Sequence, residues 1–242
     1  MKPRICCTTF YTQNFSEIGE IAEKSLRKYA MLYGFDVHTY TEPQTDRPPA
    51  WNKLLVIREL FIQGYEYVLW IDADAVFQSY EQNIEDEIQD DKDLYLVGHY
   101  LNGCFTPNTG VMLIRNSTWS HKLLDLLWEQ DQYIHHMWWE NAAFLELYGT
   151  KDFQAHSIPY IESRLDKHKI LFLETMWNSI PIKAESPSPI IVHFAGFSND
   201  IRLPRMKGIL EGKREIAWKI IPKSRIILSN LKKKYFRQTS QL

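Results

Sequence analysis

Short apolar segments typical of β-strands alternate with helical segments along most of the chain. Strands are predicted at residues 4–10, 36–40 and 67–71, and apolar residues at three- and four-residue steps from Ile18 to Tyr33 predict a helix after the first. Further strands are predicted at 94–98, 110–114 and 190–194, and further helices at 51–63, 118–130 and 140–149. Strands that alternate with helices form a mainly parallel sheet covered by helices on both faces, so the sequence predicts an α/β fold.

The composition suits one globular domain without a membrane-spanning helix. The chain has 242 residues, of which 45% are hydrophobic, and no stretch approaches the roughly 18 consecutive apolar residues of a transmembrane helix. The first ten residues lack the long apolar region of a signal peptide. Cys6, Cys7 and Cys104 give no disulfide framework and are typical of small core residues in a reducing compartment. The sequence therefore predicts a cytoplasmic protein.

The positive charge of the chain is concentrated at its C-terminal end. The net charge is −2, yet residues 213–242 hold nine Lys or Arg and a single acid, so that this segment carries +8 and residues 1–212 carry −10. An acidic body argues against nucleic-acid binding. After Pro222, apolar residues follow helical spacing beside lysines and arginines. We therefore expect a domain over 1–212 and a basic amphipathic extension over 213–242, of which 222–242 would contact an anionic membrane peripherally from its cytoplasmic side.

Two carboxylates follow directly after the apolar strand predicted at 67–71. Asp72 and Asp74 are separated by one alanine and lie between apolar residues on both sides. Burying an unpaired carboxylate costs several kcal/mol, and two neighbouring carboxylates also repel each other. In open α/β sheets ligands bind beyond the carboxyl ends of the strands, where an Asp-x-Asp pair suits a hard divalent cation. The alternative is that Asp72 caps the next turn and Asp74 is solvated.

Six segments in order resemble one known family. They are AWNKLLVIREL, YVLWIDADAVF, NTGVMLIRNSTWS, WWENAAFLELYG, MWNSIP and VHFAG. The chain resembles the metal-dependent nucleotide-sugar glycosyltransferases of the GT-A fold, most closely the galactosyl/xylosyl/mannosyl transferase family 34, over roughly residues 4 to 200. The resemblance implies a GT-A, Rossmann-like fold with a mainly parallel central sheet flanked by helices.

The resemblance also implies a metal centre and a nucleotide pocket. Asp72 and Asp74 would bind Mn2+ (or Mg2+) and the nucleotide diphosphate, Asp72 would also reach the ribose, and His193 would be the third metal ligand. The base and ribose pocket would be lined by Thr8, Thr9 and Tyr11, and Lys53 would contact the donor. Each position has a structural alternative: a core histidine for His193, strand propensity for the threonines, and a solvent-facing helix position for Lys53.

Other motif residues are expected to contact the donor or acceptor sugar. Asn108, before Gly110 in the NTG segment, offers an amide to sugar hydroxyls, although a plain turn would use the same residues. Glu140 and Asn141 stand where the family places an acidic and amide pair at the transferred sugar, which makes them the candidate catalytic residues; simple charge at a helix start is the alternative. The paired tryptophans before them, 138 and 139, would stack on an acceptor sugar or pack in the core.

One departure from the family concerns the diphosphate clamp. Relatives often carry a lysine a few residues after the HF-x-G segment, whereas this chain has FSND at 197–200. The nearest cations are Arg202 and Arg205, and a guanidinium binds phosphate oxygens well. We take Arg202 as the candidate donor-binding residue here.

The expected function is the retaining transfer of a hexose or pentose from a nucleotide-diphosphate sugar to a glycan acceptor, as in polysaccharide biosynthesis. UDP-sugars are the favoured donors and GDP-mannose is an alternative. The sequence also allows two other functions. A haloacid-dehalogenase-type phosphatase also ends a strand in Asp-x-Asp, normally its first strand, and a non-catalytic sugar-binding protein would keep the same fold.

Overall fold

The computed structural model describes residues 2–101, 103–150, 158–181 and 186–214. Within these ranges the chain forms eight strands and five α-helices. No helix in them is long and apolar enough to cross a membrane. The predicted membrane-contacting segment, residues 222–242, lies outside the described residues, and liposome sedimentation with and without it would test that prediction.

A mostly parallel six-stranded sheet forms the centre of the fold. Its strands, in sheet order, are β2 (Asp36–Tyr40), β1 (Ile5–Phe10), β3 (Tyr67–Ile71), β6 (Cys104–Arg115), β5 (Leu94–Leu101) and β7 (Ile170–Leu173). The pairs β1–β2, β1–β3 and β5–β7 are parallel, and β6 pairs antiparallel with both β3 and β5. Only β6 therefore runs against the other strands of this sheet. The α/β fold with a mainly parallel sheet is confirmed.

Helices cover both faces of the sheet, because side chains alternate between the faces along each strand. One face packs against α2 (Asn52–Ile62), α3 (Thr118–Trp128) and α4 (Trp139–Tyr148), and the other against α1 (Ser16–Tyr33). Gly34 ends α1 in the left-handed conformation with φ 74°, which glycine adopts without steric cost.

A small second layer was not predicted. β4 (Ala75–Phe77) follows the aspartates and pairs antiparallel with β8 (Ile191–His193) in a separate two-stranded sheet. The ribbon packs against α1 and α5 (Asn199–Leu210) through a third apolar cluster. The strand predicted at 190–194 is thus real but lies outside the main sheet. Its place beside β4 brings the segment after the aspartates next to His193.

Candidate metal and donor site

The two aspartates lie in a tight turn between β3 and β4. The backbone N–H of Asp72 donates to the carbonyl of Gly110 on the neighbouring strand at 2.7 Å, and the N–H of Ala75 donates back to the carbonyl of Asp72 at 2.9 Å. The turn therefore begins at the carboxyl end of a central strand, the edge where the sequence places a ligand site.

His193 reaches the aspartates from β8. Its register partner in β4 is Ala75, one residue beyond Asp74, and the N–H of Phe194 donates to the carbonyl of Asp74 at 2.9 Å. The Nε2 atom of His193 lies 3.2 Å from Oδ1 of Asp74 and 3.9 Å from Oδ2 of Asp72. We call Asp72, Asp74 and His193 the metal triad; each offers one ligand atom, and these atoms lie within 4.8 Å of one another.

Gly110 leaves the space that the metal triad occupies. A Cβ at this position would lie 2.2 Å from Cε1 of His193 and 2.8 Å from Oδ2 of Asp72. Both distances are far below van der Waals contact, so any larger residue would push the imidazole or the carboxylate away. The glycine in the NTG segment is required for this close approach of β6 to the triad.

The outer oxygen of each triad carboxylate is held by another side chain. Oδ1 of Asp72 accepts from Nε1 of Trp70 at 2.7 Å and lies 3.2 Å from Nζ of Lys53. Oδ2 of Asp74 accepts from a guanidinium nitrogen of Arg202 at 2.7 Å. The inner oxygens, Oδ2 of Asp72 and Oδ1 of Asp74, thereby face His193. Each of the two aspartates therefore has a protein cation beside it, which compensates the repulsion expected from the sequence.

The pKa values of these groups reflect their partners. Burial alone would raise the pKa of Asp74, but His193, in its protonated form, and Arg202 outweigh burial and hold the pKa of this carboxyl below its ordinary value. Burial alone would lower the pKa of Lys53, but its two neighbouring carboxylates outweigh burial and raise the pKa of the ammonium. Both groups therefore stay charged at neutral pH.

Lys53 connects the metal triad to the start of α4. Its side chain is only 1% exposed, and its Nζ donates to Oε1 of Glu140 at 2.6 Å and to the carbonyl of Thr109 at 3.0 Å. The solvent-facing alternative for Lys53 is therefore wrong. The structure places this lysine between Asp72 and Glu140 as a buried cation shared by two carboxylates.

Glu140 and Asn141 lie beside Lys53 and Thr109 and bond to protein atoms, and their predicted role at the transferred sugar stays a prediction. Burial, only partly opposed by Lys53, raises the pKa of Glu140. Its second oxygen, Oε2, has no hydrogen-bond partner in the described part of the chain. The side-chain oxygen of Asn141 accepts from the backbone N–H of Thr109 at 2.8 Å. The two side chains thus hold Lys53 on α2 and Thr109 within β6 in place.

The predicted base and ribose residues lie at the end of β1, beside β3. Thr8 is in register with Trp70, two residues before Asp72. Its hydroxyl donates to the carbonyl of His38 at 2.8 Å, whereas the buried hydroxyl of Thr9 has no hydrogen-bond partner among the described residues. The phenol of Tyr11 donates to Glu23 at 2.6 Å. The three side chains share the sheet edge of the metal triad, and their role toward a nucleotide stays a prediction.

The two tryptophans before Glu140 differ in their surroundings. Trp138 packs partly buried against the core. Trp139 is 42% exposed and has a φ of 44°, a conformation that is rare for a bulky residue and is found most often at functional sites. The core-packing alternative thus fits Trp138, and the acceptor-stacking role stays a prediction for Trp139.

Two positioning side chains escaped the sequence analysis. The sequence predicts only a strand position for Trp70, and it marks Asn178 only as part of the MWNSIP segment. In the structure Oδ1 of Asn178 lies 2.9 Å from Nδ1 of His193, and its Nδ2 donates to Oδ1 of Asn108 at 2.9 Å. A polar asparagine within the otherwise mostly apolar MWNSIP segment could have indicated this role, but its partners lie far away in the sequence.

The metal triad fits a divalent cation. Two carboxylate oxygens and an imidazole nitrogen suit Mn2+, and the carboxylates also suit Mg2+. The outer atom of every triad side chain is occupied by a neighbour, as is typical of metal ligands held by surrounding hydrogen bonds. Three protein ligands would leave further coordination positions open to other ligands.

The chain has sequence relatives among glycosyltransferases. No protein-family profile matches it. An uncharacterised α-1,2-galactosyltransferase of Schizosaccharomyces pombe is 25% identical in an alignment of length 214, and the match covers 72% of this chain and 54% of that protein. Probable glycosyltransferase 2 of Oryza sativa subsp. japonica is 30% identical over 105 residues, 40% of this chain and 22% of that protein. The chain thus spans about half of the yeast relative and about a fifth of the rice relative.

Solved structures show the same fold. A glycosyltransferase involved in glycosylation of the major capsid of PBCV-1 matches with a TM-score of 0.65 at 14% identity, over 85% of this chain and 99% of that one. The galactosyltransferase LgtC, solved with donor and acceptor sugar analogs, matches with a TM-score of 0.55 at 12% identity, over 90% and 98% of the two chains. The chain therefore has the GT-A fold and is a relative of glycosyltransferases.

Proposed function

We propose that this protein is a metal-dependent, retaining glycosyltransferase of family 34 that moves a hexose or pentose from a nucleotide-diphosphate sugar to a glycan acceptor hydroxyl. The observation that carries the proposal is the metal triad: the inner oxygens of Asp72 and Asp74 and the Nε2 atom of His193 lie together at the carboxyl end of β3. The sequence relatives and the GT-A fold support the same class of reaction.

The residues around the triad would divide the work between diphosphate and sugar. A bound Mn2+ would act as a Lewis acid that stabilises the departing diphosphate. Arg202 bonds to Asp74, so its guanidinium lies beside the metal triad, which supports a role at the phosphate oxygens. The bond from the anomeric carbon to the diphosphate breaks, the acceptor oxygen bonds to the same face, and the acceptor proton passes to the leaving phosphate.

The donor is proposed to be a UDP-sugar, with UDP-galactose first, because the yeast relative is named an α-1,2-galactosyltransferase. GDP-mannose is the alternative donor. The phosphatase function is not favoured: the Asp-x-Asp pair ends the third strand of the chain, and both aspartates are tied to cations rather than free to attack a phosphate. A non-catalytic sugar-binding role is not favoured either, because the complete metal triad is kept.

A donor-panel hydrolysis assay tests the proposal. The purified chain is incubated with UDP-galactose, UDP-xylose, UDP-glucose and GDP-mannose, each with Mn2+ or with EDTA, and nucleotide release is measured beside p-nitrophenyl phosphate hydrolysis. Release from one donor that requires Mn2+ is the expected result. Phosphatase activity without any nucleotide-sugar hydrolysis would instead establish the phosphatase.

Replacing Gly110 by alanine tests the close approach of β6 to the triad. The added Cβ would meet the imidazole of His193 at 2.2 Å, so we expect Mn2+ affinity to fall about tenfold or more and stability to fall by about 1–3 kcal/mol, as for an overpacked core. Gly208→Ala is the matched control, because a Cβ there makes only ordinary contact on α5. Unchanged Mn2+ affinity in Gly110→Ala would contradict the placement of the ion.

The variant Glu140→Gln distinguishes a role of Glu140 at the transferred sugar from a role in nucleotide binding. Glutamine keeps an oxygen for Lys53 but removes the buried charge, so the transferred sugar should be misplaced and the transfer rate should fall about 100-fold. Affinity for UDP with Mn2+ should stay close to the wild-type value. Steady-state kinetics and calorimetry measure the two effects. Glu146→Gln, on the same helix but bonded to Tyr133, is the control, and a large loss of UDP binding in Glu140→Gln would assign the residue to the nucleotide pocket.

A further inference from the structure

A chain of side-chain amides leads from His193 to a backbone N–H of β6. Nδ1 of His193 lies 2.9 Å from Oδ1 of Asn178, Nδ2 of Asn178 lies 2.9 Å from Oδ1 of Asn108, and that oxygen also accepts from the N–H of Gly110 at 2.9 Å. Asn178 is fully buried. The four residues come from three separate segments and meet only in the folded chain.

The backbone N–H of Gly110, at the end of this series of side-chain amides, fixes the direction of every hydrogen bond in the series. A backbone N–H can only donate, so the atom of Asn108 that faces Gly110 must be its oxygen. The atom of Asn178 that meets the same oxygen must then be its NH2 group, which leaves the Asn178 oxygen to face His193. An amide oxygen can only accept a hydrogen bond, so Nδ1 of His193 must carry the hydrogen that it donates.

The Asn178 backbone is held firmly enough to transmit this choice. It ends the short helical turn Thr175–Asn178. The next residue, Ser179, donates its N–H to the carbonyl of Ile191 at 2.9 Å, and its own carbonyl accepts from the N–H of His193 at 2.9 Å. The backbone of Asn178 therefore stays beside β8, which keeps its side chain within hydrogen-bond distance of the imidazole.

The other ring nitrogen faces the competing acceptor. Nε2 of His193 lies 3.2 Å from Oδ1 of Asp74, so without Asn178 that carboxylate would be the nearest acceptor and would draw the single proton of a neutral ring to Nε2. A protonated Nε2 has no lone pair for a cation. The position of one proton thus decides whether the histidine can complete the metal triad.

We propose that Asn178 is a positioning residue that keeps the proton of His193 on Nδ1 and so keeps Nε2 available to a divalent cation. This inference rests on the metal site of the proposed function. It assigns to the asparagine of MWNSIP a role in metal affinity that acts through His193, since its side chain bonds to His193 and Asn108. Loss of such outer hydrogen bonds typically costs 10- to 100-fold in metal affinity.

The test compares Asn178→Leu, which removes both hydrogen bonds, with Asn178→Asp, which keeps an acceptor for Nδ1. Mn2+ binding to the full chain, with and without UDP, is followed by the EPR signal of free Mn2+, and the ring protons of His193 are located by 15N NMR of the metal-free protein. We expect about 10- to 100-fold weaker Mn2+ binding and a bare Nδ1 in Asn178→Leu. Asn178→Asp should restore a protonated Nδ1 and most of the affinity.

The outcomes separate this inference from the proposed function. Equal Mn2+ affinity in wild type and Asn178→Leu, or no rescue by Asn178→Asp, would overturn the role of Asn178. If Asn178→Leu does not fold, the wild-type spectrum still decides, since a bare Nδ1 in wild type contradicts the inference. A wild-type chain that binds no Mn2+ at all would overturn the metal site itself.

Discussion

Lys53→Met should destabilise the protein more than any other single change proposed for the site. The methionine would fill the same buried space but leave the carboxylate of Glu140, whose side chain is 5% exposed, without its cation. Removing one partner of a buried ion pair costs about 3–5 kcal/mol. For a domain of this size that corresponds to a fall in melting temperature of roughly 10 °C.

The loss of stability in Lys53→Met should depend on pH and on the charge of Glu140. Burial already raises the pKa of Glu140, and without Lys53 the folded protein would bind a proton there more tightly than the unfolded chain does. Stability of Lys53→Met should therefore recover as the pH falls, because protonation removes the unpaired charge. The double variant Lys53→Met with Glu140→Gln should be more stable than Lys53→Met alone at neutral pH.

Thermal melting between pH 5 and pH 8 measures both effects. Lys207→Met is the matched control, because that lysine is half exposed and pairs with the exposed Glu17, a contact worth at most about 1 kcal/mol. A melting temperature of Lys53→Met as high as that of Lys207→Met would show that the buried lysine is not the shared cation that its contacts indicate.

In contrast to Lys53→Met, Asp74→Asn should lose most of its metal binding and little of its stability. The amide oxygen should turn to Arg202, which now bonds Oδ2, and the NH2 group should then donate to Nε2 of His193. Both neighbours stay hydrogen-bonded, so we expect a cost of about 1 kcal/mol. The amide hydrogens, however, point where the cation would lie, and one ligand charge is gone.

We expect Mn2+-dependent binding of UDP to Asp74→Asn to be weaker by more than about 100-fold. Isothermal calorimetry with UDP, in Mn2+ and in EDTA, measures this. Asp125→Asn is the control, because Asp125 is an exposed carboxylate that also pairs with an arginine, Arg58. Normal binding of UDP and Mn2+ by Asp74→Asn would leave the paired carboxylates of YVLWIDADAVF with a structural role only.

Local patterns in the sequence predicted the elements that carry the site. The strand at 67–71 has the predicted bounds, and the strand at 36–40 likewise. The hairpin formed by β5 and β6 is longer than predicted, and the short strands β4 and β7 were missed. Three or four residues carry too little periodicity to be recognised, and their pairing comes from neighbours far along the chain.

The sequence by itself determined that two aspartates end a buried strand, because alternation of apolar segments is local and the carboxyl end of a strand is where ligands bind. Only the tertiary structure decided which charges balance them. Lys53 meets Glu140 across 87 residues and Arg202 meets Asp74 across 128. The cation beside Glu140 is decided by how α2 and α4 pack on one face of the main sheet, and the cation beside Asp74 by how β4, β8 and α5 pack next to that sheet. Burial makes an unpaired charge costly, but it does not specify in the sequence which cation will compensate that charge.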